Sequence, residues 1–159
     1  MPKEKITYEQ FFAVVDPHNQ PFVQAIHDQL AQAGCKIAFE PKAIGFMASY
    51  KYGKPPKAFL NFVFRKHGML ARIYGECIAQ YPEFLQSLPP EMTASIHKAG
   101  DCARLINDGC SPKCTGYDFH IGDTHFQKCR YSCFEFLVSP ESKPYIQKFI
   151  ELELKQRQQ

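Results

Sequence analysis

The hydrophobic positions near the amino terminus recur with the period of an α-helix. Thr7 followed three residues later by Gln10 has the form of a capping box, and the apolar positions after it predict a short helix over 7–15. A second helix is predicted from Asn19 and Pro21 to a stop at Gly34. Its apolar positions are Phe22, Val23, Ile26 and Leu30. They share one face of the helix, and this face should cover a sheet.

From Cys35 onward the pattern changes to short runs rich in aromatic and β-branched residues. These runs predict strands over 36–39, 44–50, 58–65 and 69–74, and residues 66–68 suit the turn of an antiparallel hairpin. The two prolines of 54–57 require a loop there, because proline cannot donate to a strand ladder. Two further helices are expected, one over 78–85 and one from 89–90 to about Gly100.

The last third of the sequence predicts a loop, a hairpin, a strand and a long helix. Residues 101–116 form an irregular cysteine-bearing loop, and Gly122-Asp123 gives a two-residue turn between strands 117–121 and 124–129. A strand over 134–138 and a helix from Ser139-Pro140 to about Lys155 complete the chain. The expected fold class is therefore α+β. A single domain over 1–159 would pack N-terminal, middle and C-terminal helices on an antiparallel sheet, with 101–133 as a cysteine-rich, metal-binding subregion.

Composition places this chain among ordinary globular proteins. It has 159 residues, 45% of them hydrophobic and 22% charged, which fits one folded domain and not a disordered tail. No window approaches the roughly 18 apolar residues that a membrane span needs, and the first residues lack the apolar stretch of a secretory signal. We therefore expect a cytoplasmic protein with no membrane association.

Seven cysteines are the one unusual feature of the composition. An odd number in a reducing cytosol disfavours a complete set of disulfides, which leaves metal binding or reduced thiols as the alternatives. Cys35 and Cys77 stand alone in apolar surroundings and are expected to be small buried hydrophobes. The other five cluster, and are Cys102, Cys110, Cys114, Cys129 and Cys133.

The register of the predicted hairpin places these thiols relative to one another. Counting outward from Gly122-Asp123, Cys129 faces away from the apolar layer, Cys114 lies diagonally beside it, and Cys110 can return toward both. Cys133 would lie about 13 Å further along a straight strand, too far to share one ion with Cys129 unless the strand breaks at Arg130. The expected site is a closed tetrahedral zinc that stabilises the loop, with Cys133 as the substitute for Cys102. The predicted ligands are Cys102, Cys110, Cys114 and Cys129.

The polar face of the same hairpin offers the main catalytic candidates. Asp118, His120 and His125 are neighbours in the predicted register and would suit metal binding or acid–base chemistry, although a solvent-facing polar pair is the simpler interpretation. A reactive thiol such as Cys133 is a second candidate, without the Cys-x-x-Cys motif that usually lowers a thiol pKa. No serine triad, P-loop, dinucleotide fingerprint or helical zinc motif is present, so an enzyme of unknown reaction is the alternative hypothesis.

Charge is distributed unevenly along the sequence. The net charge is only +3, yet the stretch between Glu40 and Glu76 holds no acidic residue. Its basic residues are Lys42, Lys51, Lys54, Lys57, Arg65, Lys66 and Arg72, and its aromatic residues include Phe46, Tyr50, Tyr52, Phe59, Phe62, Phe64 and Tyr74. A basic, aromatic sheet would bind an anionic small molecule or single-stranded nucleic acid, whereas the simpler interpretation makes the aromatics core and the cations a solvated face. The candidate ligand-binding residues are Lys51, Lys54, Lys57, Arg65, Lys66 and Arg72.

Four segments resemble those of small, uncharacterised cytosolic bacterial proteins. They are KPPKAFLNFVFRK (54–66), RIYG (72–75), GYDF (116–119) and KCRY (128–131), and the resemblance spans 43–150. It implies a compact α+β domain in a bacterial cell and carries over no catalytic residue. The leading hypothesis is a zinc-stabilised binding or regulatory domain whose basic sheet accepts an anionic ligand or partner. A homodimer formed through an uncovered sheet edge is a third hypothesis.

Overall fold

The computed structural model describes residues 5–102, 105 and 116–159, and it confirms the α+β class. The helices are α1 (Tyr8–Ala13), α2 (Gln20–Gln32), α3 (Pro82–Gln86), α4 (Pro90–Lys98) and α5 (Lys143–Arg157). The strands are β1 (Lys36–Pro41), β2 (Phe46–Tyr52), β3 (Lys57–Arg65), β4 (Gly68–Ile73), β5 (Tyr117–Ile121), β6 (Thr124–Lys128) and β7 (Glu135–Leu137). No helix in these described ranges is long and apolar enough to cross a membrane.

The strands form two sheets. The larger has the order β1-β2-β3-β4-β7, and β5 and β6 pair separately as a hairpin. β1 with β2, and β2 with β3, are antiparallel. The amide of Ile73 donates to Phe134 at 2.9 Å and that of Val138 to Met69 at 2.9 Å, so β7 also runs against β4. The predicted single sheet therefore becomes a five-stranded sheet and a separate two-stranded ribbon.

The chain forms two compact units. The first unit runs to Ala71 and adds Leu137–Ser139, and the second unit comprises Arg72–Phe136 and Pro140–Gln159. The expectation of one domain over 1–159 stays a prediction.

The first unit is built on the amphipathic pattern of its two helices. The capping box of Thr7 and Gln10 is present, and α2 ends just before Gly34, whose φ of +87° suits glycine. The Phe11 ring lies 6.3 Å from that of Phe62, so α1 packs on β3. The α2 residues Phe22, Val23, Ile26 and Leu30 are buried, as their shared face predicts.

The second unit has a core of aromatic rings in tilted and edge-to-face contact. The Phe134 ring lies 5.4 Å from Phe119 and 5.1 Å from Phe149, which connects the β5-β6 ribbon, the start of β7 and α5. Two sequence predictions fail in this unit. Residues 78–85 form a 3₁₀ turn and α3 instead of one helix, because Pro82 restarts the helix. The final helix begins at Lys143 and not at Ser139, since Pro144 rather than Pro140 occupies its first turn.

Candidate functional site

Four lysines lie at the end of the sheet where β1 starts, β2 ends and β3 starts, and we call them the lysine patch: Lys36, Lys51, Lys54 and Lys57. Lys36 lies directly opposite Lys51 in the β1-β2 register, whereas Lys57 pairs with Tyr52 one position further along and so starts on the other face of the sheet. Lys54 sits in the turn between β2 and β3. All four are exposed, and within the described residues none forms an ion pair. This end of the sheet therefore presents uncompensated positive charge.

Arg65 and Lys66 lie at the other end of β3 from this patch, and Arg72 is described within its own unit. Arg65 ends β3, eight positions beyond Lys57, which corresponds to about 26 Å along a strand. Lys66 follows in the turn. Arg72 belongs to the second unit, where its Nε donates to Glu135 at 2.7 Å and its side chain is largely buried. Within the first unit, the ligand-binding residues named from the sequence therefore form two groups at opposite ends of β3, because linear charge density does not specify which end of a strand a residue occupies.

The aromatic residues of the basic stretch are mostly core. Tyr50, Phe59 and Phe62 have no exposed surface and Tyr74 is buried as well, so these rings are closed to a nucleic acid base. Phe46, Tyr52 and Phe64 are half-buried. These aromatic residues therefore fit the simpler interpretation, in which the aromatics form the core and the cations a solvated face. Any anion recognition here rests on charge.

The cavities on the described surface include one in each unit. One, of about 620 Å³, lies in the first unit beside Arg65 and Lys66 and is lined by apolar side chains that include Ile44 and Phe64. The other, of about 680 Å³, lies in the second unit between α3 and α5, with Tyr145 and Lys148 in its lining. Both fall in the usual size range of small-molecule pockets.

The β5-β6 hairpin has the register that the sequence analysis predicted by counting outward from the Gly122-Asp123 turn. His120 pairs with His125 and Asp118 with Gln127, as predicted. The two imidazole rings stack at 4.5 Å, and His125 Nε2 lies 2.5 Å from Asp118 Oδ1, a hydrogen bond that lowers the pKa of Asp118. The Asp118 and His125 side chains are about half exposed, and neither described cavity includes them. In the described residues these groups therefore form an open polar cluster.

The buried Lys128, which the sequence analysis did not single out, contacts the backbone that follows α4. Its Nζ donates to the carbonyls of His97 at 3.2 Å and Ala99 at 3.0 Å, and it pairs with Asp101 at 2.9 Å. The ammonium thus satisfies carbonyls at the end of α4. Its position on the apolar face of the hairpin is the sequence signal that could have marked it, since a lysine there must find buried acceptors.

Cys102 and Cys129 lie on either side of this junction. The amide of Cys102 donates to Gln127 at 2.9 Å and that of Cys129 to Gly100 at 2.8 Å. A methyl group on Gly116 would overlap the Cys102 thiol, so the two are in close contact. Two of the four predicted zinc ligands therefore lie on backbone stretches that pair with each other.

The other cysteines divide into three cases. Cys110 and Cys114 lie outside the described residues. Cys133 follows a turn, its amide donating to Cys129 at 3.0 Å, so the straight strand assumed in placing it 13 Å away ends at Lys128. Its thiol is fully buried, and burial raises its pKa far above the ordinary value, which argues against a thiolate nucleophile. Cys35 and Cys77 are half-buried and not fully buried as expected.

Among the described residues, no group of three or more His, Cys, Asp or Glu side chains is arranged to hold a metal ion. The set in which Cys133 replaces Cys102 has only two described members, Cys129 and Cys133, and stays a prediction. The preferred tetrad has only two described members and stays a prediction.

Lys36 is the functional candidate that the sequence reasoning missed. It precedes the acid-free stretch, so counting charges along the chain left it out. The β1-β2 register around the turn at Lys42–Gly45 would have placed it opposite Lys51. No family model matches the chain, and comparison with curated proteins and with solved structures gave no match.

Proposed function

We propose that this chain is a binding domain that holds a phosphate-bearing polyanion on its lysine patch, in the cytosolic setting expected from the sequence. One observation carries the proposal: Lys36 and Lys51 are cross-strand neighbours, Lys54 and Lys57 follow in the next turn and at the start of β3, and none of the four forms an ion pair in the described residues. Like charges directly opposite each other destabilise a sheet. A bound anion that neutralises both would remove that cost.

The lysine patch suits a chain of phosphates better than a single base or a compact ligand. Its four lysines lie on three strand ends and one turn, and none of them lines either of the two cavities described above. Buried Tyr50, Phe59 and Phe62 cannot stack on bases, so recognition would be electrostatic and largely independent of sequence. Binding of this kind releases counterions and weakens steeply with salt.

The direct experiment is a titration of fluorescein-labelled oligo(dT) by fluorescence anisotropy at several NaCl concentrations. Four phosphate contacts on a single strand predict a slope of log K against log salt of about −3. Unlabelled inorganic polyphosphate should compete, since the shared chemistry is the phosphate chain, whereas competition by oligo(dT) alone would assign the surface to nucleic acid. A salt-independent affinity, or no binding at low salt, would exclude the proposal.

A structural zinc in the cysteine segment is a second proposal, supported by one observation. Cys102 and Cys129 are anchored by backbone hydrogen bonds on adjoining stretches, and Gly116, two residues after Cys114 in the sequence, packs on the Cys102 thiol. With Cys110 and Cys114 they would form a four-thiolate site, which closes a zinc and leaves no open position for catalysis.

Zinc content of protein purified without added metal tests this second proposal. We expect close to one zinc per chain in the wild type and a large loss in Cys129→Ser, because a tetrahedral structural site tolerates poorly the loss of a thiolate. Cys35→Ser is the matched control, since Cys35 lies in the first unit, and should keep the metal. Metal-free wild-type protein would reject the zinc site and leave the lysine patch untouched.

A further inference from the structure

The cavity of the first unit collects exposed apolar side chains. Among the described residues five large hydrophobic side chains are exposed, and three of them line this one groove: Val14 at 50%, Ile44 at 42% and Leu137 at 43%. Single exposed hydrophobic residues are common on protein surfaces and need no explanation. Three exposed hydrophobic side chains in one concave site indicate a binding surface, because covering them removes apolar area from water.

The groove is shaped by fixed backbone geometry on two sides. Gly45 has a φ of +65°, and a methyl group there would come within 2.8 Å of the Phe64 ring. Gly68 has a φ of +138°, and a methyl group there would approach Leu137 to 3.0 Å. Glycine at these two turns keeps the groove open along Phe64 and Leu137, because any side chain would intrude and strain the backbone.

The charge at the groove favours an anionic occupant. Arg65 and Lys66 lie in its lining, and in the described part of the chain neither is ion-paired. The carboxylate in the lining is Asp16, whose Oδ1 already accepts the His18 amide at 2.9 Å. Arginine presents a planar, bidentate donor set that matches a carboxylate.

We propose that this groove binds an aliphatic carboxylate, with its chain over Val14, Ile44 and Leu137 and its head group at Arg65 and Lys66. The volume of about 620 Å³ suits a ligand of that class. The site is independent of the lysine patch, since Lys57 and Arg65 occupy opposite ends of β3. Either proposal can therefore fail without the other.

The test uses decanoate as the probe and decan-1-ol as its uncharged partner. Binding to the full chain is followed by the amide NMR signals of Gly45 and Gly68, which report directly on the groove. We expect saturable binding of decanoate, at least tenfold weaker in Arg65→Glu/Lys66→Glu, with decanol affinity changed less than twofold. Lys51→Glu/Lys54→Glu is the charge-matched control and should leave decanoate affinity within twofold.

A third variant tests the apolar part of the site. Ile44→Ser replaces an exposed turn residue, so folding should be preserved, and it should weaken decanoate and decanol alike. The proposal is overturned if wild-type protein shows no saturable shift at Gly45 and Gly68, or if Ile44→Ser changes neither affinity. It is also overturned if the two charge-reversal variants lose decanoate equally, because binding would then follow net charge and not the groove.

Discussion

Lys36 and Lys51 face each other across β1 and β2, the first residue of one strand against the sixth of the other. Directly opposed side chains in an antiparallel pair have Cβ atoms about 5 Å apart, within the range in which like charges repel. Both lysines are exposed, so water and salt screen the repulsion in part. The fold thus keeps a small electrostatic cost at the end of the sheet where we place the polyanion.

Replacing one of these lysines by an acid should stabilise the fold while it weakens binding. Lys51→Glu converts the repulsive pair with Lys36 into an attractive one, which should raise the free energy of unfolding by about 0.5 kcal/mol. The same change should reduce oligo(dT) affinity at least tenfold at low salt, because a contact is lost and a repulsion added. Urea unfolding and anisotropy on the same preparation measure both effects.

The double variant Lys36→Glu/Lys51→Glu supplies the control for that result. It restores like charges across the strands, so the stability gain should vanish while binding stays weak. If the single and double variants are equally stable, the two side chains do not interact and the cross-strand argument is wrong.

The pH dependence of stability should carry a contribution from His27. Its Nδ1 lies 2.9 Å from the Tyr50 hydroxyl, its ring stacks on Tyr8 at 3.8 Å, and burial lowers the pKa of His27 below 6.5. Since the unfolded chain then binds the proton more readily, stability falls as the pH drops through about 6.5 and levels off below the folded-state pKa. Urea unfolding at pH 7.5 and 5.5 should show a smaller pH effect in His27→Gln than in the wild type. An equal pH effect in both proteins would show that His27 is not responsible.

The stability of the fold should depend on Arg157, because this residue pairs with the buried carboxylate of Glu153. Glu153 is fully buried, its Oε2 accepts from Arg157 Nε at 2.6 Å, and the Tyr81 hydroxyl donates to its Oε1. Arg157→Met leaves a buried charge without that partner and should cost about 3 kcal/mol, and Tyr81→Phe about 1 kcal/mol. Glu151→Gln, an exposed position on the same helix, should change the free energy of unfolding by less than about 0.5 kcal/mol. A loss in Arg157→Met no greater than in this control would contradict the network.

Local signals in the sequence were enough for much of this structure. The β5-β6 register follows from Gly122-Asp123 because a two-residue turn sets every pair beyond it, and the Thr7–Gln10 capping box sets the start of α1. The start of α5 was ambiguous, since two prolines near Ser142 could each occupy the first turn of a helix.

The placement of charge and of aromatic rings could not be predicted in the same way. Alternation along β3 does not say which face is covered, and the consecutive residues Phe62 and Val63, which point to opposite faces, are both buried. Lys57 and Arg65 are near in sequence and about 26 Å apart along the strand. Those relationships depend on tertiary packing and on the length of extended backbone, which a count of residue types does not contain.

The most direct test of the polyanion site compares two double variants with the same change in net charge, Lys51→Glu/Lys54→Glu and Arg65→Glu/Lys66→Glu. The two ends of β3 are separated by more than the Debye length of about 8 Å at physiological salt, so each reversal acts locally. Oligo(dT) anisotropy across a salt series should show that the first variant loses binding and most of its salt dependence, while the second keeps both within about twofold. Equal losses in the two variants, or a loss confined to the second, would contradict a site on the lysine patch.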